Sequence, residues 1–239
     1  MTEIAIVTGG TRGIGRRTSI MLAQKGYAVI ATYRSGTETA QSLEVESDGA
    51  ISTQIVDGSD SDAVLEFAET VLKSATPKIL VNNAGVTGDD LFLNSNAEKI
   101  GRIMQVNFGG VLNYCSAFVP AMTAARQGDI VNTSSVAATK VKEGNAAYGC
   151  AKAAIDRLTL GIAQETARFG VRVNAVAPGF VETDMFDSFA GVNAKAIMRA
   201  IPGRRITQPD EVAHMIVALA TRQISTTGTI LRVGNGENI

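Results

Sequence analysis

The chain has 239 residues, a formal net charge of −1, 45% hydrophobic residues and 19% charged ones. That apolar share can fill a sizeable core, and doubly wound α/β units often run to roughly 250 residues. The near-neutral charge gives no basis for expecting a nucleic-acid partner or an anionic membrane surface, and no apolar run approaches the ~18 residues of a membrane helix. Met1-Thr2-Glu3 leads straight into an apolar run without the basic flank of a signal peptide, so no membrane association and a cytoplasmic location are expected. Cys115 and Cys150 stand far apart, with no CxxC and no neighbouring histidine, which reads as free thiols and no metal site.

Short apolar runs alternate with helical patterns, as in βαβ units of a parallel sheet. Ile4 to Val7 is the first expected strand, followed by a helix from Arg16 to Lys25 that Gly26 ends. Strands are expected at Ala28 to Thr32 and Gln54 to Val56, then a helix near Asp62 to Lys73 and a strand at Lys78 to Asn82. A long helix follows from about Ala97 to Thr123, then a strand at Asp129 to Thr133 and a second long helix from Ala146 to Phe169. The last expected elements are strand Arg172 to Ala175, a helix near Asp210 to Leu219, and strand Thr229 to Val233. The strands are apolar throughout rather than alternating, as befits a sheet covered on both faces. The loosest stretch is Glu182 to Pro202. No repeat or linker divides the chain, so residues 1–239 are expected to form one domain: an α/β, Rossmann-type doubly wound parallel sheet with helices on both faces.

Directly after the first strand stands Thr8-Gly9-Gly10-Thr11-Arg12-Gly13-Ile14-Gly15. A glycine triplet between a strand and a helix suits a pyrophosphate seated on helix N-terminal amides. Gly9 permits the turn, Gly13 lets the backbone approach the phosphates, and Gly15 allows close helix–strand packing. Where an NAD enzyme carries an acidic residue on the ribose, this chain has Thr32-Tyr33-Arg34-Ser35. A guanidinium grips a 2′-phosphate that a carboxylate would repel, so Arg34 and Arg12 point to NADP(H).

The spacing TGxxxGxG, Asn82-Asn83-Ala84-Gly85, Tyr148-Gly149-Cys150-Ala151-Lys152, and Pro178-Gly179 followed by Thr183 together resemble the motifs of the short-chain dehydrogenase/reductases. The resemblance implies a cofactor site that includes Thr11 and Ile14 of the glycine loop, Asp57 facing the adenine amine, and Asn83, Ala84 and Gly85. Pro178 and Gly179 belong to it as well, with Val181 and Thr183 against the carboxamide. It also implies a catalytic group of Asn107, Ser135, Tyr148 and Lys152. A ketone that accepts hydride needs a proton at its oxygen. A tyrosine hydroxyl of pKa ~10 gives one more readily beside an ammonium, and Tyr148 and Lys152 are four apart on one helix face. By the same resemblance Lys152 should also bind the nicotinamide ribose, Ser135 polarise the carbonyl while Ser134 is structural, and Asn107 kink the long helix and hold a relay water. His214 reads as a helix-surface residue, and the aspartates from Asp57 to Asp62 as a capped turn.

Within the family the chain looks most similar to the β-ketoacyl-acyl carrier protein reductases. That likeness implies an NADPH-dependent reduction of a 3-oxoacyl thioester, in fatty-acid or in polyketide or polyene synthesis, by a homotetramer or homodimer. It further implies an acyl carrier protein as partner, met by cations at the mouth of the site: Arg126 stands in the first matching position, while Phe169 occupies the second and Arg168 stands one residue beside it. The alternatives are a reductase of small free ketones, sugars or quinones, and an NADP-binding regulatory protein without turnover. Thr87 to Asn96 and Glu182 to Pro202 are expected to select the substrate. The C-terminal Val233-Gly234-Asn235-Gly236-Glu237 departs from the family's VNGG run.

Overall fold

A computed structural model of the chain describes residues 2–88, 90–186 and 194–237. Seven strands form one parallel sheet: β1 (Ile4–Thr8), β2 (Ala28–Tyr33), β3 (Ile51–Ile55), β4 (Ile79–Asn82), β5 (Gly128–Thr133), β6 (Val171–Pro178) and β7 (Ile230–Val233). Their order is β3-β2-β1-β4-β5-β6-β7, so the winding reverses between β1 and β4. The helices between them are α1 (Gly13–Gln24), α2 (Thr37–Glu46), α3 (Ser61–Leu72), α4 (Ala97–Met104), α5 (Gly110–Ala124), α6 (Ala146–Thr166), α7 (Ala194–Ala200) and α8 (Pro209–Ala220).

The apolar strands are explained by two cores, one on each face. Successive strand residues point to opposite sides. Ala5 and Val7 of β1, Val81 of β4 and Val131 of β5 pack with Leu22 of α1, Leu43 of α2 and Val212 and Ile216 of α8. Ile6, Leu80 and Ile130 face the other way, onto Val64 and Phe67 of α3, Tyr114 and Phe118 of α5 and Ile155 of α6. Local signals agree with this layering. Asp60 caps α3 by accepting from the Asp62 and Ala63 amides, and Val64, Phe67, Ala68 and Val71 give it one buried stripe. Gln208 and Glu211 form a reciprocal capping box on α8, with Pro209 in its first turn.

Three expectations are corrected. β3 begins at Ile51 rather than Gln54, because Ile51, Thr53 and Ile55 run alongside Val29, Ala31 and Tyr33 of β2. The long helix expected from Ala97 to Thr123 divides into α4 and α5 at a π turn, Gln105–Gly109, which contains Asn107, where a kink was expected. Helices α2 and α7 stand where no helix was expected. In α2 only Ala40 and Leu43 are buried, too short an apolar stripe to read as a period. Residues 187–193, within the stretch expected to select the substrate, lie outside the described residues.

At the N-terminal end of the sheet, buried Asp129 accepts from Arg172 Nε (2.8 Å) and Arg222 Nε (3.0 Å). Two guanidiniums on one carboxylate close this end of β5 and β6. The opposite, C-terminal end is where the conspicuous motifs gather.

Candidate active site

The crevice lies where the strand order reverses, the usual place for a ligand in an open α/β sheet. Thr8 Oγ1, at the tip of β1, accepts from the amides of Asn83 (2.9 Å) and Ala84 (3.0 Å) just beyond β4. Asn83 Nδ2 donates in return to the carbonyls of Thr8 (3.1 Å) and Gly9 (3.3 Å). The glycine loop and the Asn83-Ala84-Gly85 turn are therefore one fastened unit. Gly9 turns with φ 60, and a Cβ on Gly15 would fall 2.1 Å from the Gly9 carbonyl, so only glycine admits this packing.

Helix α1 starts from this unit with its first amides uncovered. Arg12 at its cap makes no side-chain capping bond, and no acidic residue stands in its first turn. By contrast Asp60 and Asn96 cap α3 and α4. An uncapped helix start behind a glycine loop suits an anionic pyrophosphate, so the residues present fit a dinucleotide. Across the crevice, a Cβ on Gly13 would come within 3.2 Å of Thr183 Cγ2, which sets the loop after β6 opposite the phosphate loop. An open cavity of about 480 Å³ is bordered by Thr11, Arg12, Gly13, Arg16, Glu38, Thr39, Ser42 and Asp184. Arg34 is exposed at the end of β2. The Asp57 carboxyl is held below its ordinary range, chiefly by a bond from the Ser59 hydroxyl (2.6 Å), against partial burial; the Ser59 amide, Arg34 and Arg102 add to this.

The other half of the crevice collects Ser135, Tyr148, Lys152 and Asn107. Ser135 follows β5, with its Oγ donating to the Pro178 carbonyl (3.4 Å) and accepting from the Ala137 amide (3.2 Å). Ser134 is buried and turns toward the Lys152 carbonyl (3.4 Å). A Cβ on Gly149 would sit 2.9 Å from the Ala137 carbonyl, so the first turn of α6 packs directly on the turn after Ser135. One turn on, Lys152 Nζ lies 5.5 Å from the Tyr148 ring centroid and donates to the Thr133 carbonyl (2.8 Å). Asn107, fully buried in the π turn, donates to the carbonyls of Val86 and Ile103 (3.0 Å each) and accepts from the Val86 amide (3.2 Å). A Cβ on Gly85 would be 2.7 Å from Asn107 Oδ1 and 3.7 Å from Lys152 Nζ, so the asparagine and the lysine converge on this glycine.

Beneath them runs a buried polar chain. Asn82 Nδ2 donates to Asn132 Oδ1 (2.9 Å), and Asn132 Nδ2 to Thr159 Oγ1 (2.9 Å), which fastens α6 to β4 and β5. Lys152 is 3% exposed, and burial pulls its pKa down from 10.5 to about 8, with Asp156 opposing the shift. An ammonium so placed is held near the point of losing its proton.

Two expectations concern residues away from this crevice. His214 is exposed on α8, bonded to the Asp210 carbonyl, as its surface reading implied. Arg126 and Arg168 are brought together, with Arg126 Nη2 donating to the Arg168 carbonyl (3.2 Å). They do not flank the mouth of this chain's own site, however. Both precede the N-terminal ends of β5 and β6, and β5 alone, six residues at about 3.3 Å each, separates Arg126 from Ser135. The sequence reading also passed over Thr8, whose hydroxyl ties the two halves of the crevice together. A buried threonine at the end of a strand that feeds a glycine loop was the available signal.

The short chain dehydrogenase family model matches residues 3–191. The chain is a short-chain dehydrogenase/reductase. It is 34% identical to the 3-oxoacyl-acyl-carrier-protein reductase FabG of Staphylococcus aureus over 243 residues, covering 99% of this chain and 98% of the relative. It is 37% identical over 241 residues to the 3-oxoacyl-acyl-carrier-protein reductase of a Synechocystis species, covering 98% and 96%. A solved structure described as a short chain dehydrogenase/reductase family protein superposes with a TM-score of 0.89 at 31% identity, covering 99% and 97%. This short-chain dehydrogenase/reductase is thus an oxidoreductase with a nicotinamide cofactor.

The depressed lysine gives a test. The charged form of Lys152 is present below pH about 8 and lost as pH rises through it. With a ketone substrate, kcat/KM for reduction, which reports the free enzyme, should be level toward neutral pH and fall tenfold per pH unit above about 8. A profile level to about pH 10, where an ordinary lysine titrates, would contradict the burial argument.

Proposed function

We propose that this reductase delivers hydride from NADPH to the 3-carbon of a 3-oxoacyl thioester, giving the 3-hydroxyacyl product. The observation that carries the proposal is the nearly full-length similarity, at 34% and 37% identity, to relatives named for that reaction. When bound, the nicotinamide supplies the hydride. Tyr148 gives its hydroxyl proton to the carbonyl oxygen, and Lys152 beside its ring favours the resulting phenolate. Ser135 donates a hydrogen bond to the same oxygen and so stabilises the charge that develops there. Asn107, in the π turn near the inner end of the lysine, would hold a water that returns protons to Lys152. Gly9, Thr11, Gly13, Ile14, Gly15, Asn83, Ala84 and Gly85 line the dinucleotide, Asp57 its adenine, and Pro178, Gly179, Val181 and Thr183 its carboxamide.

The choice of NADPH rests on Arg12 and Arg34 and on the absence of a carboxylate at the end of β2. Charge-assisted phosphate bonds contribute on the order of 1.5–3 kcal/mol each. NADPH should therefore be favoured over NADH by at least about tenfold in kcat/KM, and Arg34→Asp should reverse most of that preference. Equal efficiency with both cofactors in the native protein contradicts the assignment.

An acyl carrier protein as partner follows from the same relatives. Arg126 and Arg168 at the far end of the sheet fit such a partner only where a second copy in a homodimer or homotetramer presents them beside this chain's crevice. Charge reversal at both, Arg126→Glu with Arg168→Glu, should then raise KM for a carrier-bound substrate by about tenfold or more, with the defect growing smaller as salt is added. KM for a short soluble thioester should stay within about twofold. Equal effects on both substrates, or faster turnover of a free 3-keto ester or simple ketone than of either thioester, favour a small free ketone instead.

A further inference from the structure

The C-terminal turn after β7 carries a buried carboxylate that the reaction above does not use. The Val233 carbonyl accepts from the Gly179 amide (2.8 Å), and the chain then folds back through Gly236, at φ 97, against Pro202. Glu237 is left 4% exposed, and its side chain lies directly on the loop after β6. A Cβ on Gly179 would fall 2.4 Å from Glu237 Oε1, so the glycine is required by the glutamate. Oε1 accepts from the Phe180 amide (3.3 Å) and Oε2 from the amide of Asn235.

Further bonds make this turn a junction. The Glu237 carbonyl accepts from Lys140 Nζ (2.8 Å), a few residues past Ser135. Asn235 accepts from the Gly203 amide (2.7 Å) and donates from Nδ2 to Thr207 Oγ1 (2.9 Å). Thr207 brackets the loop from the other side: its amide donates to the Phe180 carbonyl (3.0 Å), and its carbonyl accepts from Glu182 (2.9 Å). Phe180 and Glu182 flank Val181, and Thr183 follows.

We infer that Glu237 is a positioning residue for the nicotinamide end of the cofactor: its carboxylate braces the Phe180 amide and so fixes the Val181–Thr183 stretch. A buried carboxylate holds amide donors more tightly than a neutral acceptor can. The inference rests on the reading that this stretch contacts the carboxamide.

The test compares two ligands by direct binding, without turnover. NADPH has a nicotinamide, and 2′,5′-ADP carries the same phosphate end without one. Glu237→Ala should weaken NADPH about tenfold while 2′,5′-ADP stays within about twofold. Glu237→Gln keeps one acceptor oxygen and most of the packing, so it reads out even if the alanine variant does not fold; it should weaken NADPH selectively by about threefold. Thr183→Ala is measured alongside. If Thr183→Ala weakens NADPH selectively and neither Glu237 variant does, the inference is overturned and the reading of the loop stands. If Thr183→Ala has no selective effect, that reading fails and takes the inference with it. Equal weakening of both ligands by the Glu237 variants makes the residue a general structural one and overturns the inference as well.

Discussion

The C-terminal edge of the sheet keeps a lysine ammonium inside the protein beside a tyrosine ring. Desolvation works against that charge and brings Lys152 to about 8. What offsets it is specific: the Thr133 carbonyl at 2.8 Å, and the field of Asp156 one turn along α6. The Thr133 carbonyl stands at the last residue of β5, at the end of the sheet where the crevice opens. The fold thus provides the lysine's partner at the same place where it provides the crevice.

The surroundings follow from that placement. A Cβ on Gly85 would intrude on Asn107 Oδ1, at 2.7 Å, with Lys152 Nζ in ordinary contact beyond it. The π turn interrupts a long helix so that the Asn107 side chain can replace the missing backbone bonds at Val86 and Ile103. Gly149 lets α6 approach the turn after Ser135, and the Asn82–Asn132–Thr159 chain holds that helix to the strands below.

Much of this was legible in the sequence because it was written as short-range pattern. Apolar runs separated by helical periods give strands with both faces covered, and the motif residues sit where those strands end. The parts that escaped depend on contacts between distant segments. The start of β3 is set by pairing with β2, and α2 buries too few side chains to show a period. The kink at Asn107 was expected, but not that it is a π turn, which replaces one helical register with another inside an unbroken helical pattern. That Arg126 and Arg168 lie at the end of the sheet away from this chain's own crevice depends on strand direction, which a local motif does not record. Glu237 could not be read at all: nothing in Asn235-Gly236-Glu237 says that the chain turns back onto Gly179.

The central claim is that Tyr148 supplies the proton that hydride transfer requires. It is tested most directly by mixing NADPH-loaded enzyme with a 3-oxoacyl thioester in a single turnover and following the nicotinamide absorbance, in the native protein and in Tyr148→Phe. The ring still packs in the variant, so NADPH affinity should change by less than about twofold, while the hydride-transfer rate should fall by ~10²–10⁴, the usual contribution of a general acid. A Phe variant that keeps more than about a tenth of the native rate would contradict the account.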